Sequence, residues 1–138
     1  DPRGSASDDF KEKKLYQTHG AKNIFVLTGK EHINSWSQNS VHIIEWEPSE
    51  DGWKQALTNL YQKGISSLYV EGGSFVFGQM LQYRLVQKLY YFQSNTILGD
   101  GVSWTQLFSI DSLDQAIPLS YDSHKEINGN QLKIYYFS

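Results

Sequence analysis

The stretch YVEGGSFVFGQML, residues 69–81, sets one carboxylate, Glu71, and two glycines, Gly72 and Gly73, between two apolar runs. A chain that ends a strand in glycines and then opens a helix leaves the first helical N–H groups without partners. Those groups point outward, at the end of the helix dipole that favours anions. Glycine lets a phosphate approach the backbone closely, and Ser74 is placed either to cap the helix or to donate to an oxygen. Gly72-Gly73-Ser74 therefore fits a pyrophosphate cradle, and it fits a tight strand-to-helix turn as well. The spacing of Gly72, Gly73 and Gly78 is not that of the G-x-G-x-x-G dinucleotide fingerprint. Glu71 closes an expected strand, and ligands of open α/β sheets bind outside the carboxyl ends of strands. Its carboxylate would accept hydrogen bonds from ligand hydroxyls or amines, or would serve only as a partner for the helix dipole. Chemistry alone leaves both readings open.

Few other residues offer chemistry. There is no cysteine, which excludes disulfides, thiolate nucleophiles and Cys-ligated zinc. The four histidines, His19, His32, His42 and His124, form no metal-spaced pair, so no metal site is expected. His42 alternates with apolar neighbours in VHIIEW and is expected to face outward. His32 lies in a polar stretch read as loop. Thr28 and Gly29 end a strand on what would be the ligand side. Asp100, between Gly99 and Gly101, reads as a turn residue. The default for Trp36, Trp46, Trp53 and Trp104 is packing.

These residues must be held by elements that the pattern outlines. NIFVLTG, residues 23–29, and VHIIEW, residues 41–46, read as strands, with KEHINSWSQNS between them as loop or one irregular turn. A helix follows. Ser49 is its N-cap, Glu50 and Asp51 place negative charge in the first turn, and Trp53, Ala56, Leu57, Leu60 and Tyr61 share one face. Gly64 supplies its stop. ISSLYV, residues 65–70, reads as a strand, residues 74 to about 84 as a second helix with Phe77, Met80, Leu81 and Arg84 on one face, and VQKLYYFQ, residues 86–93, as another strand. Strands alternating with helices imply parallel pairing. TILGDGVSW, residues 96–104, reads as turn or loop. In the closing segment Asn128-Gly129 predicts a hairpin turn ahead of the strand QLKIYYF. Residues 1–20 are polar, with a short amphipathic piece around Phe10–Tyr16.

The bulk numbers set bounds. The chain has 138 residues, 39% hydrophobic and 14% aromatic, which suits one folded domain over 1–138. Its net charge of −3 offers no basic surplus for nucleic acid, so none is expected as a partner. The tyrosines of LYYFQ and KIYYF are assigned to a sheet interior and a subunit contact rather than to base stacking. No run approaches the roughly 20 apolar residues that span a bilayer, and no signal peptide opens the chain. A cytoplasmic setting is compatible with this composition. The opening Asp1-Pro2-Arg3, without methionine, is what a fragment or a processed product would show.

The order of these features resembles one family. Over roughly residues 65–136, Leu68–Val70, then Glu71-Gly72-Gly73, the helix that follows, Leu89–Phe92 and Leu98-Gly99-Asp100-Gly101 are similar to the reductase domain of the bifunctional riboflavin-biosynthesis deaminase/reductase. HKEINGNQLKIYY resembles the family's closing strands, and DPRG at the start resembles the tail of a family strand ending in Asp-Pro. In two places the chain departs from the pattern. SNTILGDG stands where the family carries a proline before its glycine turn, and the family's first strand and loops have no counterpart upstream.

The resemblance implies a dihydrofolate-reductase-like mixed sheet flanked by helices, with a C-terminal antiparallel hairpin and without the N-terminal part of the family domain. It implies NADPH as cofactor and reduction of the ribosyl group of 5-amino-6-(5-phosphoribosylamino)uracil to ribityl, with hydride delivered to the sugar carbon of an opened, imine-like form. Glu71 would contact substrate. Gly72, Gly73, Ser74, Phe75 and Val76 would hold the cofactor's phosphates, and Thr28 would lie near its adenosine half. No protein nucleophile is needed, so no catalytic side chain is assigned. No deaminase domain is expected within these 138 residues, since its zinc site needs cysteines. A homodimer is expected. Two alternatives stand beside this reading: a dihydrofolate-reductase-type enzyme with another substrate, and a truncated, non-catalytic dimerisation module.

Overall fold

The computed structural model describes residues 6–105 and 108–138. The Asp-Pro opening at residues 1–2 lies outside the described residues. The secondary structure is mixed α/β, and the chain divides into two compact units, Asp1–Tyr69 and Val70–Ser138.

In the first unit the apolar alternation in FVLT makes β1, Phe25–Thr28, which buries Val26 and Thr28. It pairs in parallel with β2, His42–Glu45, with Phe25 opposite His42 and Thr28 opposite Glu45. A parallel pair needs a crossover connection, and here the connection is helical. Lys30–His32 forms a 3-10 turn that runs into α2, Ile33–Ser37. The stretch read as loop or one irregular turn is therefore a 3-10 turn continued by a short helix. The turn is anchored by Trp36, only 1% exposed, whose ring meets Phe10 edge-on at 4.7 Å. Phe10, Ile24, Val26 and Trp36 form the core of this unit, and α1, Lys14–His19, adds Tyr16 to it. His42 is exposed, as its alternation requires, and stacks on Phe25 at 4.6 Å.

Helix α3, Glu50–Gln62, follows its capping signals. The Ser49 hydroxyl accepts from the Gly52 N–H at 3.0 Å, Glu50 and Asp51 occupy the first turn, and Trp53, Ala56 and Leu60 are buried. Trp53 packs against Trp46 with ring centroids 4.7 Å apart. At its end Gly64 takes φ +86°, and the Ile65 N–H closes on the Leu60 carbonyl at 3.1 Å. The strand expected over 65–70 does not form: the segment is irregular, with Leu68 50% and Tyr69 62% exposed.

The second unit holds α4, Ser74–Gln82, and a three-stranded sheet in the order β3-β5-β4. β3 is Lys88–Gln93, β4 is Leu119–Ile127 and β5 is Asn130–Phe137, and every pairing is antiparallel. The parallel arrangement read from alternating elements therefore holds for β1 and β2 and not for β3, whose partner is the later strand β5. The β4–β5 hairpin turns at Asn128 and Gly129, with φ of +50° and +78°, the left-handed pair that an Asn-Gly hairpin turn uses. Residues 96–104 form no strand or helix, as their glycines suggest. The tyrosines assigned to a sheet interior are only partly inside: Ile134 is buried, whereas Tyr90, Tyr91, Phe92 and Tyr136 are exposed. Among the described residues no helix is long and apolar enough to cross a membrane.

Candidate functional site

Glu71, Gly72 and Gly73 lie in irregular backbone that feeds directly into α4. The helix forms because SFVFGQML offers an apolar face, burying Met80 and Leu81, while Phe77 meets Trp104 edge-on at 6.4 Å. Its N-cap is Gly73, in extended backbone at φ −69° and ψ 176°. The Gly73 carbonyl accepts from the Phe77 N–H at 3.2 Å, which starts the helical ladder. The N–H groups of Phe75 and Val76 precede that bond and have no acceptor inside the helix by position.

Two features keep this end available to an anion. No side chain caps it, and its first turn carries no acidic residue. The start of α3 is the reverse, with a serine cap and two acids.

The paired glycines have separate roles. A Cβ at Gly72 would lie 2.9 Å from Val76 Cβ, so glycine is needed there for the turn to lie against the helix it opens. A Cβ at Gly73 would meet nothing within 4 Å. Gly72 is thus a packing residue, and Gly73 is the position at which the backbone is open to solvent. Sequence reasoning did not separate them, although the i, i+4 spacing of Gly72 and Val76 carried the signal.

The other expected site residues are placed as follows. Glu71 is exposed, and Phe75 is 39% exposed on the first turn. Val76 is half-buried over Gly72. Glu71 and residues 72–76 all belong to the second unit. Thr28 belongs to the first and has 0% exposure, its carbonyl accepting from the Trp46 N–H at 2.9 Å. It offers no surface to a ligand and is left out of the candidate site. His32 sits beside Glu31, with Nε2 and Oε1 3.5 Å apart, in the 3-10 turn after β1. Among the described residues no cluster of three or more His, Asp or Glu side chains could hold a metal ion.

Comparison with known proteins bears on this geometry. Residues 5–129 match the family described as the RibD C-terminal domain. The fold is shared with solved structures at low identity. Acinetobacter baumannii RibD (form 2) matches over 93% of this chain at 15% identity and a TM-score of 0.71. The Thermotoga maritima diaminohydroxyphosphoribosylaminopyrimidine deaminase/5-amino-6-(5-phosphoribosylamino)uracil reductase matches over 100% at 21% identity and a TM-score of 0.75. A pyrimidine reductase-like protein from Corynebacterium diphtheriae matches over 93% at 18% identity and a TM-score of 0.71. The chain covers 34% of the Acinetobacter chain, 36% of the Thermotoga chain and 56% of the Corynebacterium chain. No curated protein sequence matches it.

Proposed function

Because the chain belongs to the RibD C-terminal domain family, we propose that it acts in an NADPH-dependent reductase of riboflavin biosynthesis. The substrate would be 5-amino-6-(5-phosphoribosylamino)uracil, its ribosyl group reduced to ribityl. The Thermotoga relative carries that reductase activity in its name, and the same activity is carried to this chain as part of the proposal, together with a cytoplasmic setting.

The observation that carries the reading is the uncapped start of α4, with Gly73 open and no acid in the first turn. Backbone N–H groups at such a start suit a phosphate, so the residues fit the cofactor's diphosphate. NADPH, when bound, supplies a hydride. The chain's own residues bind and orient. Phe75 and Val76 offer backbone N–H groups to phosphate oxygens, and the closeness of Gly72 to Val76 fixes the path by which the backbone reaches them. Glu71, one residue upstream, accepts hydrogen bonds from substrate hydroxyl or amine groups, which fixes the ribosyl carbon in place. No side-chain nucleophile is required, and the rate advantage comes from positioning and from excluding water.

The test is titration of NADPH into the chain, followed by tryptophan fluorescence and melting temperature. Saturable shifts are expected, and their absence removes cofactor binding from the account. For substrate, Glu71→Ala in a turnover-competent form of the protein should abolish turnover and leave the melting temperature unchanged. Wild-type kinetics in that variant would take Glu71 out of the site.

One observation favours a second reading, a non-catalytic dimerisation module. Tyr90, Phe92 and Tyr136 stand exposed on one face of the β3-β5-β4 sheet. Under that reading sedimentation shows a homodimer, and NADPH changes neither fluorescence nor melting temperature. A dimer that binds NADPH supports the reductase.

A further inference from the structure

The turn between β4 and β5 has no part in the reductase reading, yet its two residues carry a chemistry of their own. Asn128 is the one asparagine in the chain that glycine follows. An asparagine side-chain amide lies close enough to the main-chain nitrogen of the next residue for the two to close a five-membered ring. A side chain on that next residue obstructs the approach, and glycine has none. Asparagine is for this reason a thermolabile residue, and it is most so ahead of glycine.

Asn128 and Gly129 are the two central residues of the turn, with Ile127 paired to Asn130 across it. Both are exposed. No hydrogen bond joins the Asn128 side chain or the Gly129 N–H to a described residue. The side-chain bonds of the turn come from Asn130, whose Nδ2 donates to the Ile127 and Asn128 carbonyls at 3.4 Å each. Nucleophile and electrophile therefore both stand open to water. The backbone of the turn opposes their reaction. At φ +50° Asn128 lies in the left-handed region, where ψ is about +30 to +60°. That ψ turns the Gly129 nitrogen away from the side-chain amide. The two meet only after ψ of Asn128 rotates, and this rotation undoes the turn.

We propose that Asn128 is a site of spontaneous deamidation, gated by opening of the β4–β5 turn. The Gly129 nitrogen bonds to Asn128 Cγ as the Cγ–Nδ2 bond breaks, and the side-chain nitrogen leaves as ammonia, taking the Gly129 proton. Water then opens the resulting succinimide on one side or the other. Cleavage between Cγ and nitrogen gives aspartate and restores the main chain. Cleavage between the main-chain carbonyl carbon and nitrogen gives isoaspartate, whose chain runs through Cγ and is one methylene longer. Water is the only co-reactant, and nothing is oxidised or reduced. The two products differ in their effect on the fold. Asp-Gly suits the same hairpin turn as Asn-Gly. An extra methylene between Ile127 and Asn130 does not fit a two-residue connection that sets the register, so the isoaspartyl form loses pairing between β4 and β5. Either product adds one negative charge to a chain already at −3. This proposal does not rest on the reductase reading and survives its failure.

The test is incubation of the 138-residue chain at mildly alkaline pH, with and without concentrated guanidinium chloride. The tryptic peptide 126–133 is then sequenced by mass spectrometry, with fragmentation that separates aspartate from isoaspartate. Conversion at Asn128 is expected in both samples and should be about tenfold or more slower in the folded chain, because the reaction waits on local opening. Asn130, in the same peptide, should stay intact over the same period. In denaturant, where no fold is at stake, Gly129→Ala should suppress conversion at Asn128. Asn128→Asp should melt like the wild type, and the purified isoaspartyl form should melt lower. The proposal is overturned by absence of conversion in the folded chain over many half-lives of the denatured one, or by equal rates in the two samples. It is also overturned by conversion of Asn130 as fast as Asn128, by undiminished conversion in Gly129→Ala, or by an isoaspartyl form that melts like the wild type.

Discussion

Helices α3 and α4 lie on either side of the Tyr69–Val70 division, and their beginnings solve one electrostatic problem in opposite ways. Every helix start presents unpaired N–H groups and a positive dipole end. In α3 the chain answers from within itself. Ser49 accepts from Gly52, and Glu50 and Asp51 supply negative charge, with Glu50 also paired to Lys54 at 2.6 Å. That pair is exposed and adds little; the cap and the acids do most of the work. In α4 no side chain caps the start and no acid lies in the first turn, Glu71 standing two residues before an N-cap that is an open glycine. Where a sequence withholds groups it uses freely elsewhere, the missing partner is reasonably sought outside the chain. The contrast supports an external anion at α4 and nothing of the kind at α3.

The most direct way to break the contrast is to give α4 the start that α3 has. Gly73→Asp places a carboxylate at an N-cap whose extended backbone already suits aspartate. The helix should become slightly more stable. NADPH affinity, measured by fluorescence titration, should fall about a hundredfold, since a fixed like charge would face the cofactor's phosphates. Unaltered affinity in Gly73→Asp would place the phosphates elsewhere.

The next effect is on stability and belongs to α3. A Cβ at Gly52 would fall 2.2 Å from the Glu47 carbonyl oxygen, a backbone atom that cannot swing away. Gly52→Ala should cost about 3 kcal/mol, the upper end of overpacking, read from chemical denaturation. The closed start of α3 is tight because the preceding turn folds back onto it. A tolerated Gly52→Ala would mean that this turn is loose.

Gly72→Ala should cost less, about 1–2 kcal/mol, because the clash is with a side chain rather than with backbone. Val76→Ala in the same chain should recover part of the loss, giving a coupling that a double-mutant cycle reads directly. Additive losses would show that Gly72 and Val76 do not meet. Together with Gly73→Asp, this pair of variants separates the glycine that shapes the turn from the glycine proposed to admit the ligand.

How much of this was legible in the sequence depended on whether the determining interactions were local. The cap of α3, its glycine stop and the Asn128-Gly129 hairpin turn were all readable, because each is set by residues a few positions apart. Helix α2 was legible only as loop or one irregular turn: INSWS is polar in composition, and Phe10, against which Trp36 is buried, lies 26 positions away. The strand expected over residues 65–70 needed a neighbour to pair with, and no described residue pairs with it. β3 was found as a strand but assigned the wrong kind of neighbour, because alternation of strands with helices says nothing about a later hairpin folding back onto it. In the candidate site, the glycine turn ahead of α4 was readable from residue types, but not which of its two glycines is open. The burial of Thr28 was not, since position at a strand end does not reveal which side chains turn inward.

The smallest effect expected is at Ser49, and it tests the other half of the contrast. Ser49→Ala removes the hydroxyl that satisfies the Gly52 N–H and leaves the rest of α3 unchanged. Loss of an N-cap costs about 1 kcal/mol, which for a domain of this size lowers the melting temperature by a few degrees. Glu50 and Asp51 remain in the first turn, so the dipole stays compensated and the loss should not exceed that of the single hydrogen bond. NADPH affinity should be unchanged, because no part of α3 belongs to the proposed phosphate site. If Ser49→Ala proved neutral, the start of α3 would be no more closed than that of α4. The absence of a cap at Gly73 would then cease to distinguish the two helices, and the argument for an external anion would lose its internal control.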